Sequence, residues 1–161
     1  MAGKTVSVGT ATAAPGQVVR GSIPVTTLGG GTPLEIPVVI VNGVADGPCF
    51  WVNGAIHGDE PEGPLACQIA LSEVDPLKLA GTLVMVPVVN VPAFEAAQRG
   101  NPLDTFSYDM NRIYPGVIYG DHTDDFVRLS LTQPVPKIRE AIARMKVVVD
   151  AIRSESLPSR G

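Results

Sequence analysis

Aromatic residues are scarce in this sequence, at 5%, and charged residues reach only 17%. The first scarcity leaves no surface for stacking on bases, and a formal net charge of -4 removes the basic patch that phosphate binding requires. Cysteine is limited to Cys49 and Cys67, too few for a disulfide framework and spaced unlike a zinc ribbon. They fit a reducing compartment and read as buried, inert thiols. Long apolar runs are missing as well: the most apolar stretch, 83–94, is interrupted by Pro87, Asn90 and Pro92 and falls far short of a bilayer span. The opening residues carry Lys4 but no apolar segment after it, which argues against a signal peptide. The expectation is a soluble cytoplasmic protein that binds neither nucleic acid nor membrane, with its oligomeric state open.

What is present is a foldable core. Apolar residues make up 45% of 161 residues, a length that suits one domain burying roughly 68–70% of its unfolded surface. Residues 17–27 and 35–41 are rich in Val and Ile and flank the turn Leu28-Gly29-Gly30-Gly31-Thr32-Pro33, which predicts a β-hairpin. A second turn, 42–48, leads into a strand predicted over 49–56. Pro61 suits a first helical position, Asp59 and Glu60 complement a helix amino terminus, and Leu65 and Ile69 supply an apolar stripe, so a helix is predicted over about 62–74. The run from Thr82 to Val89 has the continuous apolar character of a strand buried on both faces. The β-α-β order implies a parallel pair with a right-handed crossover.

After Asn90 the chain turns irregular for some forty residues, and a loop of that length inside a compact domain is usually functional. Pro134 and Pro136 open a further predicted helix carrying Ile138, Ile142 and Met145, and Val147-Val148-Val149-Asp150 reads as one more buried strand. Residues 151–161 form an irregular polar tail. The domain assignment is therefore 1–150 plus that tail, in an α/β fold with an antiparallel early hairpin and a mixed, centrally parallel sheet flanked by helices.

The chemistry concentrates at His57 and Glu60, where an apolar strand ends in a histidine and several carboxylates. Imidazole nitrogen and carboxylate oxygen are favoured zinc donors, and catalytic zinc sites commonly use three protein ligands with one position left for water. Taken alone, His-x-x-Glu is a weak signal that more often describes a histidine at a strand end and a glutamate at a helix dipole. Asp59 and Glu62 read as structural, Asp59 with the option of orienting His57. Trp51, Phe94 and Tyr114 read as packing residues. Asn111-Arg112 reads either as a carboxylate-binding pair or as a loop ion pair with Asp104 or Asp109.

The run from His57 through Pro61 and Gly63, then Gly81-Thr82, Val86-Pro87-Val88-Val89-Asn90, Ala93-Phe94, Arg99, Asn101-Pro102, Asp104, Asp109, Asn111-Arg112 and Pro115-Gly116, resembles the succinylglutamate desuccinylase/aspartoacylase family, itself similar to the zinc carboxypeptidases. The resemblance spans roughly 35–150, with several motifs in order. It implies a zinc-carboxypeptidase-like fold and hydrolysis of the amide bond of an N-acyl amino acid or similar small carboxylate. It further implies one zinc ion held by His57 and Glu60, oxyanion stabilisation by catalytic Arg99, and substrate-carboxylate binding by Asn111 and Arg112.

The sequence departs from the pattern at the third zinc ligand, and the glutamate that serves the family as general base has no counterpart in it. The family's third zinc ligand is a histidine two residues beyond the aspartate that ends the next buried strand, and here that position is Ile152. His122 lies in the polar segment Gly120-Asp121-His122-Thr123 and reads as a turn residue. The expectation is a fold incomplete on its carboxyl-terminal side with an impaired site. The alternatives are a non-catalytic remnant that binds a small carboxylate and a metallocarboxypeptidase.

Overall fold

A computed structural model describes residues 3–106 and 108–113. The predicted helix after Pro136, the 147–150 strand, His122, Ile152, Tyr114 and the 151–161 tail, and with them the expected domain boundary, lie outside the described residues.

Strand β1 (Val6–Val8) pairs antiparallel with β2 (Ala11–Ala13) across a tight turn in which Gly9 takes φ 55°, a small hairpin that the pattern of the sequence did not announce. Strands β3 (Gln17–Thr27) and β4 (Pro33–Asn42) form the long hairpin expected from the glycine turn. Its ladder shifts register between Pro24 and Thr26, where proline has no N–H to donate. Strand β5 (Ala45–Asn53), helix α1 (Glu62–Glu73) and strand β6 (Ala80–Val86) make the β-α-β unit, and β5 and β6 are parallel with Trp51 opposite Val84. The sheet order is β3-β4-β6-β5, with β4 and β6 antiparallel, so the sheet is mixed.

Alternation along β4 and β6 explains why both read as nearly unbroken apolar runs. Val38, Ile40, Val84 and Val86 face the β1-β2 hairpin and pack with Ala11 and Ala13. Val39, Val41 and Met85 face the other way, onto Cys67 of α1 with Ala70 and Leu71 beside it. Hairpin, sheet and helix thus make three layers, and the two central strands are covered on both faces from Val38 onward in β4 and along most of β6.

Two boundaries differ from expectation, and both shape the site. Strand β5 ends at Asn53 rather than running to residue 56, because Ala55 adopts φ 47° and breaks the extended path. Strand β6 ends at Val86, before Pro87. The loops beyond stay laced together: Gly54 donates to the Val86 carbonyl at 2.9 Å and Val89 to the Gly54 carbonyl at 3.0 Å. Pro61 is the cap of α1, one residue earlier than its expected place inside the first turn, and Gly63 lies so close that an added β-carbon would stand 2.7 Å from the Gly54 Cα. That close crossing brings the helix start against the end of β5.

Candidate functional site

His57 lies four residues past the end of β5, on a loop beyond the carboxyl ends of the parallel strands, the usual place for a site in an α/β sheet. It is 5% exposed. The Glu60 N–H donates to the His57 carbonyl at 3.3 Å, and this turn brings the two side chains together, with His57 Nδ1 3.0 Å from Glu60 Oε1. Gly58 seats the loop on helix α2 (Val91–Glu95). A β-carbon there would collide with the backbone of Ala93 and Phe94.

The other ring nitrogen, Nε2, is 2.7 Å from Asp109 Oδ1. Asp109 immediately precedes the short helix α3 (Met110–Ile113) and also accepts the Asn111 backbone N–H at 2.9 Å. The hydrogen bond to His57, aided by that of Asn111 and by the nearby Arg99 charge, holds the Asp109 carboxyl below its ordinary pKa. Arg99 completes the group: Nη1 donates to Glu60 Oε1 at 3.2 Å, and Nη2 is 3.9 Å from Asp109 Oδ2. Of these side chains, His57, Arg99 and Asp109 border a cleft of about 390 Å³ that also takes in Asn101 and Asp104, a volume within the range of small-molecule sites.

The structure therefore brings His57, Glu60 and Arg99 into contact, although they are 39 residues apart between Glu60 and Arg99. It places Asn111 next to the cluster through its backbone N–H, and its helix α3 also contains the Arg112 backbone. Asp109, read from the sequence as a member of the motif run and a possible ion-pair partner for Arg112, holds His57 and faces Arg99. Its sequence signal was the two-residue step to Asn111. Asp59 is exposed, and the role of orienting His57 falls to Asp109. Asp104 caps its own loop by accepting the Phe106 and Tyr108 N–H groups, both at 3.0 Å. Trp51 packs on the core as expected, and Cys67 is buried, whereas Cys49 is exposed.

The donor set can be tested against zinc. A neutral imidazole has one N–H, so it can make an ordinary hydrogen bond to only one of two ionised carboxylates. The second contact calls for another proton or a cation between nitrogen and oxygen. Two donors at zinc distances of about 2.0–2.1 Å in tetrahedral geometry stand roughly 3.3 Å apart, close to the 3.0 Å between His57 Nδ1 and Glu60 Oε1. The Nε2 contact to Asp109 has the carboxylate–histidine form that fixes the tautomer of a metal-bound ring. Two carboxylates, Glu60 and Asp109, face the single guanidinium of Arg99, an excess of acidic groups that favours a divalent cation. Two donors thus fit zinc. Among the described residues no third His, Cys, Asp or Glu joins them in a metal-holding group.

A histidine flanked by carboxylates and an arginine, held beyond the ends of parallel strands, has the makings of a hydrolase site. The model of the succinylglutamate desuccinylase/aspartoacylase catalytic domain matches residues 46–150, and the chain belongs to that family. It is 36% identical over 89 residues to the N-alpha-acetyl-L-2,4-diaminobutyric acid deacetylase of Halomonas elongata, a match covering 55% of this chain and 25% of that protein. Among solved structures, the product-bound ectoine utilization protein EutE of Ruegeria pomeroyi is 30% identical with a TM-score of 0.51, over 68% of this chain and 33% of that one. A succinylglutamate desuccinylase from Silicibacter sp. TM1040 is 32% identical with a TM-score of 0.52, over 67% and 33%. The chain spans about a quarter of the curated relative's length and about a third of these two structures. The fold is that of the family, and the relatives support a deacylase-like hydrolase.

Proposed function

We propose that this chain carries part of the site of a zinc-dependent hydrolase acting on the amide bond of an N-acyl amino acid. The observation that carries this reading is His57 held at both ring nitrogens by Glu60 and Asp109, with Arg99 on the same two carboxylates. His57 and Glu60 would hold the metal, and Asp109 fixes the ring that holds it. Zinc, when bound, supplies Lewis acidity that activates water at neutral pH and polarises a carbonyl oxygen. Arg99 is 57% exposed on its side chain, so it is free to turn from the carboxylates toward a developing oxyanion. Asn111 and Arg112 are assigned to the substrate carboxylate, because a guanidinium fork matches it with two parallel hydrogen bonds. The cleft size and the diaminobutyrate relative favour a small N-acetylated amino acid over a peptide.

The strengths of the ion pairs support a functional purpose. Pairs as exposed as Arg99 and Glu60 typically stabilise a fold by only about 0.2–1 kcal/mol, so stability does not account for gathering four charged or titratable side chains here. Metal analysis of the purified chain tests the reading. Near-stoichiometric zinc is expected, lost in His57→Ala and strongly reduced in Glu60→Gln, with release of acetate from N-alpha-acetyl-L-2,4-diaminobutyrate falling in parallel. Zinc uptake indifferent to both substitutions would refute the ligand assignment. A second reading draws on Ile152, which stands where the family resemblance expects a histidine: a site that binds a small carboxylate without turnover. It predicts a substrate-induced rise in melting temperature with no zinc and no acetate released.

A further inference from the structure

Two asparagines are buried at opposite ends of the parallel strands, and they differ in how their amides are used. Asn42 Nδ2 donates to the Lys4 and Ala13 carbonyls at 2.8 and 2.9 Å, and the Thr82 hydroxyl donates to Asn42 Oδ1 at 2.9 Å. Both ends of that amide are engaged. Asn90 is 3% exposed, yet its Oδ1 has no hydrogen-bond partner among the described residues. A buried acceptor left unused is a cost that an apolar side chain would avoid. The amide must therefore be retained for its other half.

That half donates to the loop that carries His57. Asn90 Nδ2 lies 3.2 Å from the Ile56 carbonyl oxygen, and only an N–H can face a carbonyl, which fixes the orientation of the amide. The Asn90 backbone N–H donates to the Ala55 carbonyl at 3.1 Å. Between these ties Ala55 is held at φ 47°, a left-handed conformation that a residue with a β-carbon leaves when nothing restrains it. Relaxation of Ala55 would swing the two-residue link to His57. The Asn90 carbonyl also accepts the Phe94 N–H at 3.0 Å and so starts α2, whose backbone abuts Gly58 on the other side of His57. The same segment runs on to Arg99.

We infer that Asn90 is a positioning residue: through its Nδ2 bond to the Ile56 carbonyl it locks the 54–58 turn and holds the His57 ring between Glu60 and Asp109. The link to metal binding rests on the proposed function. The orientation of His57 does not.

The experiment uses Asn90→Asp, which keeps the size but sets an acceptor against the Ile56 carbonyl, and Asn90→Ala, which removes the amide. The readouts are the His57 ring signals by NMR in metal-free protein, assigned against His122→Gln, and zinc affinity by competition with a chelator. Both variants are expected to shift the His57 signals toward those of free imidazole and to weaken zinc binding roughly 10- to 100-fold. Asn42→Ala serves as the control, losing stability while its folded molecules keep wild-type His57 signals and affinity. Unchanged His57 signals in folded Asn90→Asp would overturn the proposal, as would an equal shift in Asn42→Ala. If the wild type takes up no zinc while Asn90→Asp still moves the His57 signals, the metal reading falls and the positioning role stands. Should Asn90→Ala fail to fold, Asn90→Asp alone decides.

Discussion

The two cysteines show how far residue type constrains behaviour before position does. Both read from the sequence as buried small apolar residues, but Cys49 sits on β5, whose first half is thinly covered, and it is exposed. Cys67 packs with Val39, Val41 and Met85 under α1, and burial pushes its thiol up to about 11 from an ordinary 9.0. The raised value belongs to the folded state, where the thiolate is disfavoured. The unfolded chain therefore releases this proton first, so the contribution of Cys67 is complete below pH 9 and is lost as pH rises toward about 11. Urea midpoints measured from pH 8 to 11 under reducing conditions are expected to fall by an alkaline component on the order of 2 kcal/mol. Cys67→Ala is expected to remove that component while lowering stability uniformly. An unchanged alkaline slope in the variant would show that other groups cause it.

Elements are positioned here by glycine contacts as much as by side chains. The loop after β5 was legible as a candidate site because His57 and Glu60 follow an apolar run, and the helix after it was legible from Pro61 and the acidic residues at its start; its buried side was not, since Leu65 is exposed and Pro64, Ala66 and Cys67 face inward. The exact end of β5 was not, because the left-handed Ala55 has no sequence signature. Likewise, α2 was hidden in a stretch that reads as irregular: Pro92 starts it, but five residues are too few to show a period. Gly58 has no room for a β-carbon against the Ala93 and Phe94 backbone. Gly58→Ala is therefore expected to cost roughly 1–3 kcal/mol, as overpacking against a rigid neighbour does, and to displace His57 from Asp109. Chemical denaturation and the His57 ring signals check both halves. A variant as stable as the wild type, with unmoved signals, would mean that α2 yields easily.

At the scale of the whole molecule, the layers share β4 and β6 as their common centre. Ile40 is fully buried in the cluster beneath the β1-β2 hairpin, and its Ile40→Ala variant should lose about 2–5 kcal/mol with an unchanged denaturant slope. A loss below 1 kcal/mol in a urea titration would mean that the hairpin collapses into the space left. No helix among the described residues is long and apolar enough to cross a membrane, in agreement with the interrupted apolar run at 83–94. The sequence by itself determined the long hairpin, the parallel strand pair and the first helix, because apolar runs and turn residues act over a few neighbours, and it determined the family, because motifs keep their order along the chain; it did not announce the β1-β2 hairpin. It also singled out His57, Glu60 and Arg99 through that resemblance. Only the tertiary structure decided that Asp109, 52 residues on, takes the second face of the His57 ring, and that Asn90 holds the turn beneath it. Such contacts depend on where two loops meet in space, and no local period or spacing encodes a hydrogen bond between segments that come together only after the sheet has formed.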